Sequence, residues 1–288
     1  MIPLSYAQRR MWFIHRLDGP SATYNIVSAL RLTGTLDTEA LAEAVRDVVS
    51  RHHSLRTLIA EDEAGVPYQR VLPAADARPE VPVVDVAPED VAAAVAEAAG
   101  HGFDLFAELP LRARVLRCAE AEHVLVLVVH HIAGDGESSA PLARDLVTAY
   151  TARRAGRAPA WEELPVQYAD YTLWQRELLG DEDDPDSVIA TQSAYWREEL
   201  AGLPETLQLP MDRRRPSKPS YRGDTVEFVL EPELLAGVEA LARGRGATVS
   251  MVLQAGLAVL LRQLGAGEDV AIGSPIAGRT DEALADLV

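Results

Sequence analysis

The sequence predicts an α/β (α+β) fold, and three observations predict it. First, residues 124–129, VLVLVV, form a short β-branched apolar run ended by a turn signal. Such a run reads as a strand buried on both faces. Second, strand-like and helix-like patterns alternate along the chain rather than separating into blocks. Third, 288 residues with 48% hydrophobic and 25% charged content suit one large globular domain or two lobes.

In chain order, residues 4–17 place Tyr6, Arg9, Phe13 and Leu17 at helical spacing, with Ser5 as N-cap and Asp18-Gly19-Pro20 as the stop. That face is expected to enter the core. Residues 25–32 alternate as a strand does, and a Gly34 turn leads to an Asp37 or Thr38 cap. The helix over 39–53 carries Leu41, Val45, Val48 and His52 on one face. Short strands are expected over 58–59, 68–72 and 81–84, and a helix over 89–101. A strand over 114–116 pairs with 124–129 through Glu120-Ala121-Glu122.

A helix over 164–179 interleaves Tyr168, Tyr171, Trp174 and Leu178, which is expected to mean core packing and contact between lobes. The segment 180–186 holds five acidic residues in seven and reads as a solvated loop. The lobe boundary is placed there, giving lobes 1–178 and 179–288. A helix over 194–203 and the basic loop Arg213-Arg214-Arg215-Pro216 follow. Then come a strand (224–230), two helices (232–243, 250–264) and a strand (269–272). The chain stops at Val288 inside an apparent helix.

The strand 124–129 presents the chemistry. His130 and His131 stand where it leaves the core, followed by Ile132-Ala133-Gly134-Asp135-Gly136. The two glycines are expected to allow backbone angles forbidden to a side chain. Ser138 or Ser139 then caps a helix with Pro141 in its first turn and Leu142, Leu146 and Tyr150 on one face. Side chains alternate across a strand, so the two histidines cannot share a role. One faces a site; the other faces the core or braces the turn. Asp135 is close to the turn and reads as a brace. Neither serine sits in a nucleophile elbow. A metal site joining His52 and His53 to this pair lacks supporting ligand spacing.

His130 to Gly136 matches HHxxxDG and resembles the condensation domains of nonribosomal peptide synthetases. The resemblance runs the length of the chain. Ser5, Ala7, Gln8, Arg10, Met11 and Trp12 are similar to the family's opening motif. Arg51-His52-His53-Ser54-Leu55-Arg56-Thr57 resembles its second motif, with His53 where the family usually has Glu. Phe103-Asp104-Leu105, Tyr168-Ala169-Asp170-Tyr171-Thr172-Leu173-Trp174 and Gly273-Ser274-Pro275-Ile276-Ala277-Gly278-Arg279 also look like the family's segments.

The resemblance implies a chloramphenicol acetyltransferase-like two-lobe sandwich of mixed sheets flanked by helices, with the second lobe incomplete here. It implies amide formation between a donor peptidyl or aminoacyl thioester and the amine of an acceptor aminoacyl thioester. Both substrates ride on phosphopantetheine arms of upstream and downstream peptidyl carrier proteins, beside an adenylation domain. His131 takes a proton or orients the amine; Gly136 offers an N–H to the oxyanion or leaves room for an arm. His130, Asp135, Arg279 and Arg56 are structural at the site, and the domain itself holds no cofactor or metal. A direct Asp135–Arg279 ion pair is expected to join the lobes, the guanidinium fork meeting both carboxylate oxygens. Breaking it is expected to cost about 3–5 kcal/mol and soluble protein.

A formal charge of −17 argues against nucleic acid as partner. No apolar stretch approaches the roughly 20 residues that cross a bilayer. With one cysteine, Cys118, and no visible secretory signal, a cytoplasmic protein is expected. Within the family, epimerisation domains keep the same motif, but the opening and second motifs look more like condensing members. Heterocyclising members replace the histidine pair with an aspartate pattern. Non-catalytic recruiting members usually lose the second His or the Gly. A CoA-dependent acyltransferase shares the simpler His-x-x-x-Asp-Gly. Residues 19–25 resemble members whose donor ends in a D-residue.

Overall fold

The computed structural model describes the whole chain except Glu205, Lys218, Pro219, Arg222, Asp224, Ala277 and Thr280. In order, the elements are β1 (Ile2–Pro3), α1 (Tyr6–Asp18), β2 (Asn25–Thr33), α2 (Thr38–Arg51), β3 (Thr57–Glu61), β4 (Pro67–Val71), β5 (Val83–Asp85) and α3 (Val91–Ala99). There follow β6 (Leu111–Ala119), β7 (Glu122–His130), α4 (Ser139–Arg154), α5 (Tyr168–Leu179), α6 (Val188–Glu199), α7 (Pro232–Gly244) and α8 (Val249–Gln263). This is the mixed α/β fold expected.

Two sheets form, one of three strands ordered β1-β4-β3 and one of four ordered β2-β7-β6-β5. The larger sheet is mixed, because β5 runs parallel to β6 while its other pairs are antiparallel. Its centre is β7, paired along its whole length with β2, from Asn25 opposite His130 to Thr33 opposite Glu122. All eight residues from His123 to His130 are buried, as a run apolar on both faces requires. The β6–β7 hairpin turns where Glu120-Ala121-Glu122 was expected to turn it.

Helix α2 begins at Asp37, whose side chain accepts the Ala40 N–H, and buries Leu41, Val45 and Val48 as its period demands. Helix α1 departs from expectation. Ser5 caps it in a capping box with Gln8, but the buried residues are Gln8 and Met11, while Phe13 and Leu17 are exposed. The box explains the rotation: the Gln8 side chain must turn inward to reach the Ser5 N–H, 3.0 Å away. Likewise Trp174 and Leu178 of α5 are exposed rather than packed in a core.

The C-terminal region differs more. Contacts divide the chain into Met1–Ile189 with Ala277–Val288, and Ala190–Ile276. Helix α6 starts six residues before the expected 194. Neither 225–230 nor 269–272 is a strand, and Asp224 lies outside the described residues. Val226, Phe228 and Val229 are each more than 80% exposed; no described strand offers them a ladder, so their β propensity has nothing to pair with. Residues 281–288 hold only a 3₁₀ turn, Glu282–Leu284, in place of the expected helix, and Val288 packs into the first unit's core. Among the described residues no single helix is long and apolar enough to cross a membrane.

Candidate active site

The end of β7 separates the two histidines as strand alternation requires. His130 is 4% exposed, edge-on to Phe103 with ring centroids 5.9 Å apart. Its Nδ1 accepts the Ile132 N–H at 3.1 Å, which fixes the neutral ring with its proton on Nε2. Burial, followed by the nearby His15 and His131, pushes its pKa down to about 4. His131 is exposed, and its backbone N–H is anchored on Tyr24 O at 2.8 Å. The exposed His131 ring therefore stands on a pinned backbone at the end of a strand buried from His123 to His130.

The glycine turn is not built as expected. Neither Gly134 nor Gly136 has a positive φ, so backbone freedom does not require either. A Cβ on Gly136 would meet nothing within 4 Å. The residue is exposed, and the space beside it is open.

Asp135 and Ser138 lock this turn to itself. Asp135 Oδ1 accepts the Ser138 N–H at 2.9 Å and its hydroxyl at 2.8 Å, while Ser138 Oγ accepts the Asp135 N–H at 2.9 Å. This reciprocal pattern is a capping box one turn ahead of α4. Ser138 makes no side-chain cap bond of its own to the helix. The box leaves the N–H groups of Gly136 and Glu137 without an acceptor among the described residues.

Arg279 closes the lock. Its Nη2 lies 2.9 Å from Asp135 Oδ1 and 3.0 Å from Ser138 Oγ. The fork does not meet both carboxylate oxygens: Nη1 turns instead to the carbonyls of Leu284, at 3.0 Å, and Leu287. Arg279 also belongs to the same compact unit as Asp135, so the pair does not bridge the two units. Burial works against the Asp135 carboxylate, but Ser138 and Arg279 outweigh it and hold its pKa below the usual range. Ala277, within the same segment, lies outside the described residues.

Arg56 is not brought to this turn. It is buried at the start of β3, where Nε donates to Ser50 O at 3.3 Å and Nη1 to Leu72 O, with no carboxylate partner among the described residues. His53, at the usual Glu position, lies close enough to feel that charge; burial first, and then Arg56, lower its pKa.

Sequence reasoning missed Asp145. It is 2% exposed on α4 and takes Arg51 Nε at 2.8 Å, His52 Nε2 at 2.9 Å and Arg144 Nε at 3.0 Å. Burial pushes the carboxyl up, but the bonds from His52 and Arg144 outweigh it and hold the pKa at about 2. The one sequence signal was an acid on the apolar side of α4, next to Leu146. Arg144 continues to Asp286 at 2.6 Å, and Ser54 Oγ donates to Val288 O at 2.9 Å. Asp286 and Val288 are thus fastened to α4 and to the segment that follows α2. No group of three His, Cys, Asp or Glu among the described residues could hold a metal.

The family profile described as "Condensation domain" matches residues 1–288. The chain belongs to the condensation-domain family. It is 57% identical over 288 residues to a probable non-canonical nonribosomal peptide synthetase of Salinispora arenicola, and 54% identical over 287 residues to a dimodular nonribosomal peptide synthase of Bacillus subtilis. Each match covers 100% of this chain but only 4% and 12% of those proteins. Among solved structures, the X-domain from teicoplanin biosynthesis superposes with a TM-score of 0.90 at 38% identity, over 100% of this chain and 63% of that one. The first condensation domain of the calcium-dependent antibiotic synthetase shares the fold, with a TM-score of 0.74 at 24% identity over 98% of this chain and 66% of that one.

Proposed function

We propose that this condensation domain forms amide bonds, joining a donor peptidyl or aminoacyl thioester to the amine of an acceptor aminoacyl thioester. The observation that carries the reading is His131: an exposed imidazole on a pinned backbone, beside a buried, neutral His130. The substrates arrive on the phosphopantetheine arms of upstream and downstream peptidyl carrier proteins, and an adenylation domain loads the acceptor. The names of the synthetases it resembles support that context. So does the outer face of α1, where exposed Phe13 and Leu17 lie among exposed Arg9, Arg10 and Arg16. Arg9 and Arg16 lie 3.6 Å from Glu182 and Glu61, and with Arg10 they leave a mixed apolar and basic surface that suits an acidic partner.

The acceptor nitrogen attacks the thioester carbonyl, forming C–N, and the tetrahedral intermediate expels sulfur, breaking C–S. His131 accepts the ammonium or amine proton, or holds the amine in line, and the departing thiolate takes up a proton. The thioester is already activated, so holding the two arms together supplies most of the acceleration, at best roughly 7–11 kcal/mol. A positioned base adds about 10²–10⁴-fold. The free N–H groups of Gly136 and Glu137, at the N-terminal end of α4, suit the developing oxyanion. Asp135, Arg279 and Ser138 hold the turn.

Recruitment of a partner enzyme is the second reading. The likeness to the teicoplanin X-domain favours it, as does a solved complex of that X-domain with OxyB, which this chain matches with a TM-score of 0.84. Amide formation is preferred because the second histidine and Gly136 are both present, and because identity to the synthetases exceeds identity to the X-domain. Carrier proteins loaded with donor and acceptor, followed by mass spectrometry of the acceptor arm, test the choice. Elongated product that depends on His131 is expected. Transfer from a CoA thioester alone, or none at all, overturns the proposal.

A further inference from the structure

We propose that Ser138 is a positioning residue, whose hydroxyl sets the direction of the Gly136 and Glu137 N–H groups in the His131 turn; this rests on the amide-forming reading. Ser138 is 4% exposed, and its Oγ is fully used. It accepts from Asp135 N–H at 2.9 Å and from Arg279 Nη2 at 3.0 Å, and it donates to Asp135 Oδ1 at 2.8 Å. A hydroxyl has one donor and two acceptor sites, so none remains for catalysis or for capping α4.

The consequence is geometric. On its β7 side the turn is anchored by backbone bonds: His131 N–H on Tyr24 O, Ile132 N–H on His130 Nδ1, and Ala133 N–H on His130 O. On the α4 side, among the described residues, 136 and 137 are restrained by the Asp135–Ser138 box, which Arg279 grips at both ends, and by the Ser139 N–H, 3.3 Å from Gly136 O. Gly136 has no side chain to wedge it, and nothing lies within 4 Å of where one would stand. Without the hydroxyl, Arg279 and the residue-138 N–H still meet Asp135 Oδ1, but the Asp135 N–H has lost its acceptor, and the turn, closed from one side only, is free to swing.

Ser138→Ala and Ser138→Thr separate positioning from support. In Ser138→Ala, amide hydrogen exchange at the two bonded N–H groups of the box, residues 135 and 138, is expected to rise about tenfold or more, while exchange in β6 and β7 is unchanged. Transfer between loaded carriers is expected to lose roughly 10–100-fold in kcat with KM within twofold, because a displaced oxyanion donor acts only in the transition state. Ser138→Thr, which keeps Oγ, is expected to restore both. The proposal is overturned if Ser138→Ala leaves exchange in the turn unchanged, if exchange rises equally throughout the chain, or if it fails to fold. It is also overturned if the Thr variant behaves like the Ala variant. A wild-type domain that transfers nothing sinks the amide-forming reading instead, while the exchange comparison still decides whether Ser138 holds the turn.

Discussion

Replacing Asp135 by Ala removes the acceptor on which the motif turn closes. Its Oδ1 holds three donors: the Ser138 N–H, the Ser138 hydroxyl and Arg279 Nη2, all at 2.8–2.9 Å. The Arg279 side chain is 15% exposed and that of Asp135 45% exposed. The pair therefore sits between surface pairs, worth about 0–1 kcal/mol, and buried ones, whose truncation costs about 3–5 kcal/mol. Half-exposure screens the charge, and Arg279 keeps the Leu284 and Leu287 carbonyls after its partner is lost. With the two Ser138 bonds included, Asp135→Ala should cost about 2–3 kcal/mol. The protein should stay folded and soluble, contrary to what the sequence led us to expect for a buried pair. Urea unfolding followed by tryptophan fluorescence measures the loss. In a cycle with Arg279→Met, the coupling should be about 1 kcal/mol. A loss under about 0.5 kcal/mol, or additive single variants, refutes the clamp.

His131→Ala should abolish transfer between loaded carriers yet shift urea stability by no more than about 0.5 kcal/mol, because the ring is exposed; loss of fold would mean the ring is structural. For His130 the folded pKa, about 4, lies below its ordinary 6.5. The neutral ring therefore contributes stability that is fully present above about pH 6.5 and is lost as pH falls toward 4, about 3 kcal/mol in all. Stability measured at pH 7 and pH 4.5 should fall less in His130→Phe than in the native chain; equal slopes would show that the ring does not titrate there. His53→Glu should raise stability by roughly 0.5–1 kcal/mol, by giving the buried Arg56 a counter-charge; a lower unfolding midpoint would place the two side chains out of reach. Gly136→Ala should leave stability within about 0.5 kcal/mol, since neither φ nor packing requires glycine. A full transfer rate in that variant would show that the open space is not used by an arm.

What the sequence determined by itself was local. The β7 run, the β6–β7 hairpin, the Ser5 cap and the apolar face of α2 are each encoded within a few consecutive residues. That His130 and His131 face different ways follows from strand alternation alone; which of them is exposed was expected from the motif resemblance. The Asp135–Arg279 pair, 144 residues apart, was expected from motif resemblance, not from any local pattern. Tertiary structure decided what depends on distant partners. Helical spacing in α1 pointed to the face of Phe13 and Leu17, but the inward turn of Gln8 buried Gln8 and Met11 instead. Residues 225–230 and 269–272 carry β propensity but find no described ladder. Asp145 became a buried charge only because Arg51, His52 and Arg144 converge on it from two helices. Ser138 or Ser139 read as the cap of α4, but the arrival of Arg279 made Ser138 the hub of the turn. A side chain's periodicity is written in its neighbours along the chain, whereas the partner that satisfies its polar atoms comes from elsewhere in the fold.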